Sequence, residues 1–285
     1  MSKLRQAMID AMLVRGFAVR THQSYLSAVT GLAKYYRRSP VQLNTGEIQD
    51  YFLYLVKERH LSPASCRLSL NGIRFLYQEV LQREFEAKIQ IPKRSQRIPE
   101  LLTRKEVAAI LEACINRKHR MLLTVCYGCG LRVSELLNLK VRDIDGERRL
   151  LRIDQGKGAK DRMVEIPETL LLQLRRYWQL FRPYEWLFPG RDPTTALGVT
   201  SAQKCFTASK CKAGVDKVGG IHSLRHAYAT HQLVAGMPIT QLQHQMGHKD
   251  IRTTLRYVHW VPNYQGGDSS TDLIADLEAD HEWKK

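Results

Sequence analysis

Residues 221–257 read IHSLRHAYATHQLVAGMPITQLQHQMGHKDIRTTLRY, three short helical patterns separated by abrupt stops and dense in histidine, arginine and tyrosine. A helix opening at Ser223 sets His222 and Arg225, three residues apart, on one side of its first turn. Unpaired backbone N–H groups and the positive end of the helix dipole point the same way, so positive charge converges there. The commonest anion to relieve it at a helix N-terminus is a phosphate. The second pattern starts at Pro238, places Ile239, Leu242 and Met246 at helical spacing, and stops at Gly247, which suits a left-handed C-cap and leaves His248 just beyond. The third is capped by Asp250, with Ile251, Thr254, Leu255 and Val258 as the stripe expected to face a core and Tyr257 off that stripe.

Upstream of this stretch, Thr103 and Glu106 form a capping box ahead of Val107, Ile110, Leu111 and Cys114. The run from Met121 to Tyr127 is apolar on all sides and reads as a central buried helix. Gly128 and Gly130 break it, and the next helix begins near Arg132, with Leu136, Leu137 and Leu139 apolar. An arginine in that setting needs an anionic partner, because burying it unpaired costs several kcal/mol; the partner is either Glu135 or a bound phosphate. Leu150–Ile153 and Met163–Ile166 are β-type runs around QGKGAKDR, which predicts a hairpin with Lys157 at its tip between Gly156 and Gly158. The lysine is either a plain turn residue or, with small neighbours, a cation able to approach a ligand closely. Helices over residues 167–181 and 200–213 complete this half.

The first eighty or so residues read as four amphipathic helices: Leu4, Met8 and Met12 on one face; then Tyr25, Val29, Leu32 and Tyr36; then Ile48, Phe52, Leu55 and Val56 behind an Asn44/Glu47 capping box; then Ile73, Leu76, Tyr77 and Val80 behind Ser62 and Pro63. Between Arg83 and Glu100 the periodicity fails, and Lys88, Pro92, Lys93, Arg94, Arg97 and Pro99 mark an extended basic connector. The expected organisation is a helical domain over 1–84, a linker over 85–100, a second domain over 101–265 and a tail over 266–285. That tail has a Gly266–Gly267 break, then Leu273, Ile274, Leu277 and Trp283; it docks either on its own chain or on a neighbour.

Lys plus Arg number 44 against 28 Asp plus Glu, a net charge of +16, so the surface attracts a polyanion. No run is long and apolar enough to cross a bilayer and no signal-peptide core opens the chain, so it is expected to be cytoplasmic, with its six cysteines reduced. Cys126 and Cys129 form a CxxC, but Cys126 lies in an apolar run where a buried thiol is the favoured role, and Cys205 with Cys211 has the wrong spacing for a zinc ribbon. His222 with His226, and His244 with His248, have the spacing of helical zinc ligands yet lack the glutamate of HExxH. No metal and no cofactor are expected.

Taken together, GLRVSELL, GKGAKDR, HSLRHAYATH, QMGH and TTLRY resemble, in order and approximate spacing, the motifs of the tyrosine recombinases, the phage-integrase and Xer-type family. The resemblance covers nearly the whole chain. It implies a mainly α fold with a small β-sheet, in which a helical N-terminal core-binding domain and an α+β catalytic domain form a C-shaped clamp on DNA. It implies a site-specific recombinase acting on double-stranded DNA with paired recombination sites, as a tetramer on synapsed DNA. By the same resemblance Arg132 and Arg225 grip the scissile phosphate, Lys157 is the hairpin lysine, His222 and His248 are the active-site histidines, and Tyr257 is the nucleophile. A type IB topoisomerase and a non-catalytic DNA-binding protein are the alternatives.

In that chemistry the Tyr257 phenol displaces a 5′-hydroxyl and keeps the bond energy in a 3′-phosphotyrosine, so rejoining needs no ATP. With a reference pKa near 10, a phenol needs a proton acceptor at neutral pH, for which His222 is the natural candidate. The two guanidinium forks match phosphate oxygens, and loss of either is expected to cost on the order of 3 to 4 kcal/mol of transition-state stabilisation. Lys157 is the expected acid for the departing 5′ oxygen, while His248 orients the phosphate or shares that role.

Overall fold

Asn44, Ser62 and Thr103 each accept a hydrogen bond from the backbone N–H three residues on, and a helix begins beside each of them. The computed structural model describes residues 3–85, 89–91, 99–154, 161–261, 264 and 271–278. The chain divides into two units, Met1–Arg97 and Ile98–Lys285.

In the first unit, α1 (Lys3–Val14), α2 (Val19–Tyr36), α3 (Thr45–Lys57) and α4 (Pro63–Phe75) are joined by short turns, and α4 runs on into a π turn, Leu76–Val80. Met8, Met12, Val29, Leu32, Ile48, Phe52, Leu55, Ile73, Leu76 and Tyr77 form its buried core. Val56, expected inward, is instead 46% exposed. The buried stripe of α3 is completed by Tyr51, one turn back, and Val56 falls outside its arc. Lys88, Pro92, Lys93, Arg94 and Arg97 lie outside the described residues.

The second unit is built around α6 (Arg117–Gly128), in which every residue from Met121 to Gly128 is buried. Packed on it are α5 (Arg104–Ala113), α7 (Val133–Leu137), α8 (Glu168–Phe181), α9 (Val199–Lys212) and α10 (His222–Val234). Strands β1 (Ile144–Asp145), β2 (Leu150–Ile153) and β3 (Arg162–Glu165) make one antiparallel sheet in that order, with Leu151 opposite Val164. At two residues, β1 is too short to announce itself by alternation. Helices α11 (Ile239–Met246) and α12 (Ile251–Val258) follow α10, and the described chain ends in α13 (Ala275–Glu278). The protein is thus mainly helical with one small sheet.

The inward face of α12 differs from expectation. Thr254 and Tyr257 are buried at 0% and 4% exposure, while Leu255 is 39% exposed. Thr254 and Tyr257, three residues apart, define the buried face of the helix. Thr254 is inward as expected, with a hydrogen bond to His248, whereas Tyr257, expected off the stripe, takes the inward place assigned to Leu255.

Near the C-terminus, Leu273 and Ile274 join the core of their own unit at 1% exposure each. The Gln232 side chain donates to the Thr271 carbonyl (2.7 Å) and accepts from the Thr271 N–H (3.0 Å), and the Thr169 N–H donates to Asp272. Gly266, Gly267 and Trp283 lie outside the described residues. Among the described residues, no helix is long and apolar enough to cross a membrane.

Candidate active site

The last carbonyls of a helix have no partner within it, and at the end of α11 three consecutive ones are met by arginines from three elements. The Gln245 carbonyl accepts from Arg162 Nε (3.1 Å), that of Met246 from Arg225 (2.5 Å) and that of Gly247 from Arg132 (3.0 Å). Gly247 makes this possible, since it caps α11 in the left-handed conformation (φ 59°) and a Cβ there would lie 2.8 Å from the Arg162 guanidinium.

Glu135 on α7 holds the same arginines from the other side. Both of its oxygens accept from Arg162 (3.0 and 2.8 Å) in a fork-to-fork pair, one accepts from Arg132 (2.6 Å), and Arg225 stands 3.7 Å away. Burial pushes this carboxyl up, but the hydrogen bonds and charges of Arg162 and Arg132 prevail and hold it at about 2. One carboxylate faces three guanidiniums, so a surplus of two positive charges remains in a largely buried pocket. Arg225 is 1% exposed and also donates to the Gly130 carbonyl (2.6 Å). Burial, then the neighbouring Arg132, push it down to about 10, so it stays charged at neutral pH.

The phenol is on the same wall. Tyr257 stacks parallel to His248 at 6.2 Å and meets Trp260 edge-on at 5.0 Å. His248 Nε2 sits 3.1 Å from an Arg225 amino group, which can only donate, and its Nδ1 is 2.9 Å from the Thr254 hydroxyl. Nε2 therefore accepts and Nδ1–H donates, which fixes the neutral tautomer. Burial and the arginines push this imidazole down to about 3. The hydroxyl of Tyr257 is 2.9 Å from Nδ1 of His226, one turn along α10 from His222. Burial raises the phenol pKa, and Arg225 and Arg132 partly offset it. His222 opens α10, is exposed, packs edge-on against His226 at 4.7 Å, and is pushed below the usual histidine value by desolvation and by Arg225.

The structure thus draws Arg132, Arg225, His248 and Tyr257 together from four separate elements and sets His222 beside them, while Lys157 lies outside the described residues. Two members escaped the sequence. Arg162, the last residue of GKGAKDR, completes the arginine cluster, and His226, weighed only as a zinc ligand, is the partner of the phenol. Among the described residues no group of His, Cys, Asp or Glu is arranged to hold a metal ion, and burial pushes the Cys126 and Cys129 thiols up to about 12.

Excess fixed cations around a buried phenol, within a helical unit that carries one small sheet, suit the transfer of a phosphoryl group. The chain belongs to the phage integrase family: residues 100–263 match the model described as Phage integrase family, and residues 4–87 match its N-terminal SAM-like domain. It is a tyrosine recombinase, an enzyme that cleaves and rejoins DNA at specific sites through a tyrosine intermediate. It is 38% identical to a protein of Sinorhizobium fredii named "Putative integrase/recombinase y4qK", over 92% of this chain and 86% of that one. It is 30% identical to the tyrosine recombinase XerD of Pseudomonas putida, over 88% and 90%. Its fold is similar to that of the Tn1549 transposon integrase in complex with circular intermediate DNA (TM-score 0.72, 18% identity, 98% of this chain and 99% of that one).

Proposed function

We propose that Tyr257 is the nucleophile of this recombinase, that Arg132, Arg225 and His222 hold the scissile phosphate, and that Lys157 protonates the departing 5′ oxygen. The surplus positive charge beside the phenol carries this reading, since it suits a phosphodiester more than any neutral substrate. The guanidinium groups are fixed by carbonyls before any ligand arrives, so little reorganisation is needed as charge grows on the non-bridging oxygens. His248, locked between Arg225 and Thr254, keeps Arg225 in place and presents a flat face to the phenol.

Its partner is double-stranded DNA, attracted by the net charge of +16, and the reaction joins two sites held by a tetramer in the cytoplasm. Strand exchange is cleavage run backwards with a new 5′-hydroxyl. Incubating the protein with a supercoiled plasmid bearing two copies of its footprinted site should give recombinants and a DNA adduct that survives SDS. Tyr257→Phe should retain DNA binding and lose the adduct altogether; an adduct of undiminished yield would assign the nucleophile elsewhere.

A further inference from the structure

We propose that His226, rather than His222, is the catalytic residue that takes the phenolic proton from Tyr257 as the new O–P bond forms. This rests on the reading of Tyr257 as nucleophile. The geometry is that of a base already in place: Nδ1 of His226 lies 2.9 Å from the phenolic oxygen, within the reach required for direct proton transfer. Trp260 meets the His226 ring edge-on at 5.9 Å and the Tyr257 ring at 5.0 Å, so one indole braces both partners. His222, one turn earlier, packs on the edge of His226 at the exposed mouth of the site, where a phosphate would meet it first.

The charge state agrees. Burial, His222 and Arg225 push His226 down to about 4, so the ring is neutral at physiological pH. In the neutral tautomer that carries its proton on Nε2, Nδ1 accepts and the phenol donates, and this is the tautomer that proton transfer to Nδ1 requires. The phenol, raised by burial, does not surrender its proton to so weak a base in the resting enzyme. That mismatch keeps the nucleophile silent until a phosphodiester enters. The anion offsets the cationic neighbours that hold the imidazole down, and the phenolic proton becomes strongly acidic only as its oxygen bonds to phosphorus.

The step balances as follows. The Tyr257 oxygen bonds to phosphorus and its proton passes to His226 Nδ1, while the bond from phosphorus to the 5′ oxygen breaks and that oxygen takes a proton from the acid on the opposite side. In rejoining, His226 returns the proton to the departing phenol.

The test uses single-turnover cleavage of a duplex carrying the footprinted site, and of the same duplex with sulfur in place of the 5′ bridging oxygen, which leaves without protonation. His226→Ala should cleave about 10²- to 10⁴-fold more slowly on both substrates while binding DNA as tightly as the parent. His226→Asn, whose amide oxygen can replace Nδ1 as acceptor but cannot take the proton, should be as slow as His226→Ala. Imidazole added to His226→Ala should restore part of the rate. Parent-like cleavage by the asparagine variant would reduce the contact to positioning, and recovery of either variant on the sulfur substrate would move His226 to the leaving-group side. Both outcomes overturn the proposal and leave Tyr257 as nucleophile. Adduct formation by Tyr257→Phe, in contrast, would remove the reading beneath it.

Discussion

Glu135 is a single carboxylate set against three guanidiniums, and that ratio governs what its loss would do. In Glu135→Gln the shape is kept but the cluster goes from a surplus of two positive charges to three, in a largely buried pocket where water screens them poorly. Removing one partner of a buried ionic group costs about 3–5 kcal/mol, so the urea midpoint of the variant should fall accordingly. Sulfate should restore the midpoint more strongly in the variant than in the parent, because the anion replaces the missing charge; equal effects would mean that the cluster does not bind anions. The sequence revealed Arg132 and Arg225 because each sits in a recognisable motif at a helix start. It did not reveal Arg162 or His226 as members of the site. Arg162 reaches Glu135 across 27 positions and His226 reaches Tyr257 across 31, and spacing along one element says nothing about which element faces it.

Among the elements, α11 matters for how it ends. Its final carbonyls orient the arginines, and its stop depends on Gly247, the residue whose role was legible from the glycine after Met246. An alanine there must adopt a positive φ and also displace an Arg162 side chain that Glu135 and Gln245 already fix. Gly247→Ala should therefore lower stability by about 1–2 kcal/mol and slow DNA cleavage more than it weakens DNA binding. Thermal melting together with a cleavage assay checks both effects, and a variant that melts and cleaves like the parent would show that the loop relaxes freely. Caps at Asn44, Ser62, Thr103 and Asp250 were equally legible, since a cap is a local hydrogen bond. The face of α12 was not. An eight-residue helix offers two turns of pattern, and Tyr257, expected off the stripe, is buried against His226, His248 and Trp260, which all lie outside the helix.

At the scale of the whole molecule, burial of neutral imidazoles ties stability to pH. His226 and His231 are pushed down to about 4 and His248 to about 3, burial being the first cause in each case, against a usual value near 6.5. Once the pH drops below about 6.5, the unfolded chain binds protons that the folded chain refuses until about 4 or lower, so stability is lost across that interval. Each such proton contributes roughly 1.4 kcal/mol per pH unit to the slope. Glu135 acts later: held at about 2, it keeps its contribution above the usual carboxylate range and loses it only as the pH falls from there towards 2. All three histidines belong to the unit Ile98–Lys285, and so do all four tryptophans, Trp178, Trp186, Trp260 and Trp283. Tryptophan fluorescence therefore reports unfolding of the unit whose protons are at issue. Urea midpoints followed by that signal should fall steadily from pH 7 to pH 4.5, with a slope steeper than one proton can supply. A midpoint that holds constant over this range would mean that the three rings are already protonated, or hydrated, in the folded enzyme.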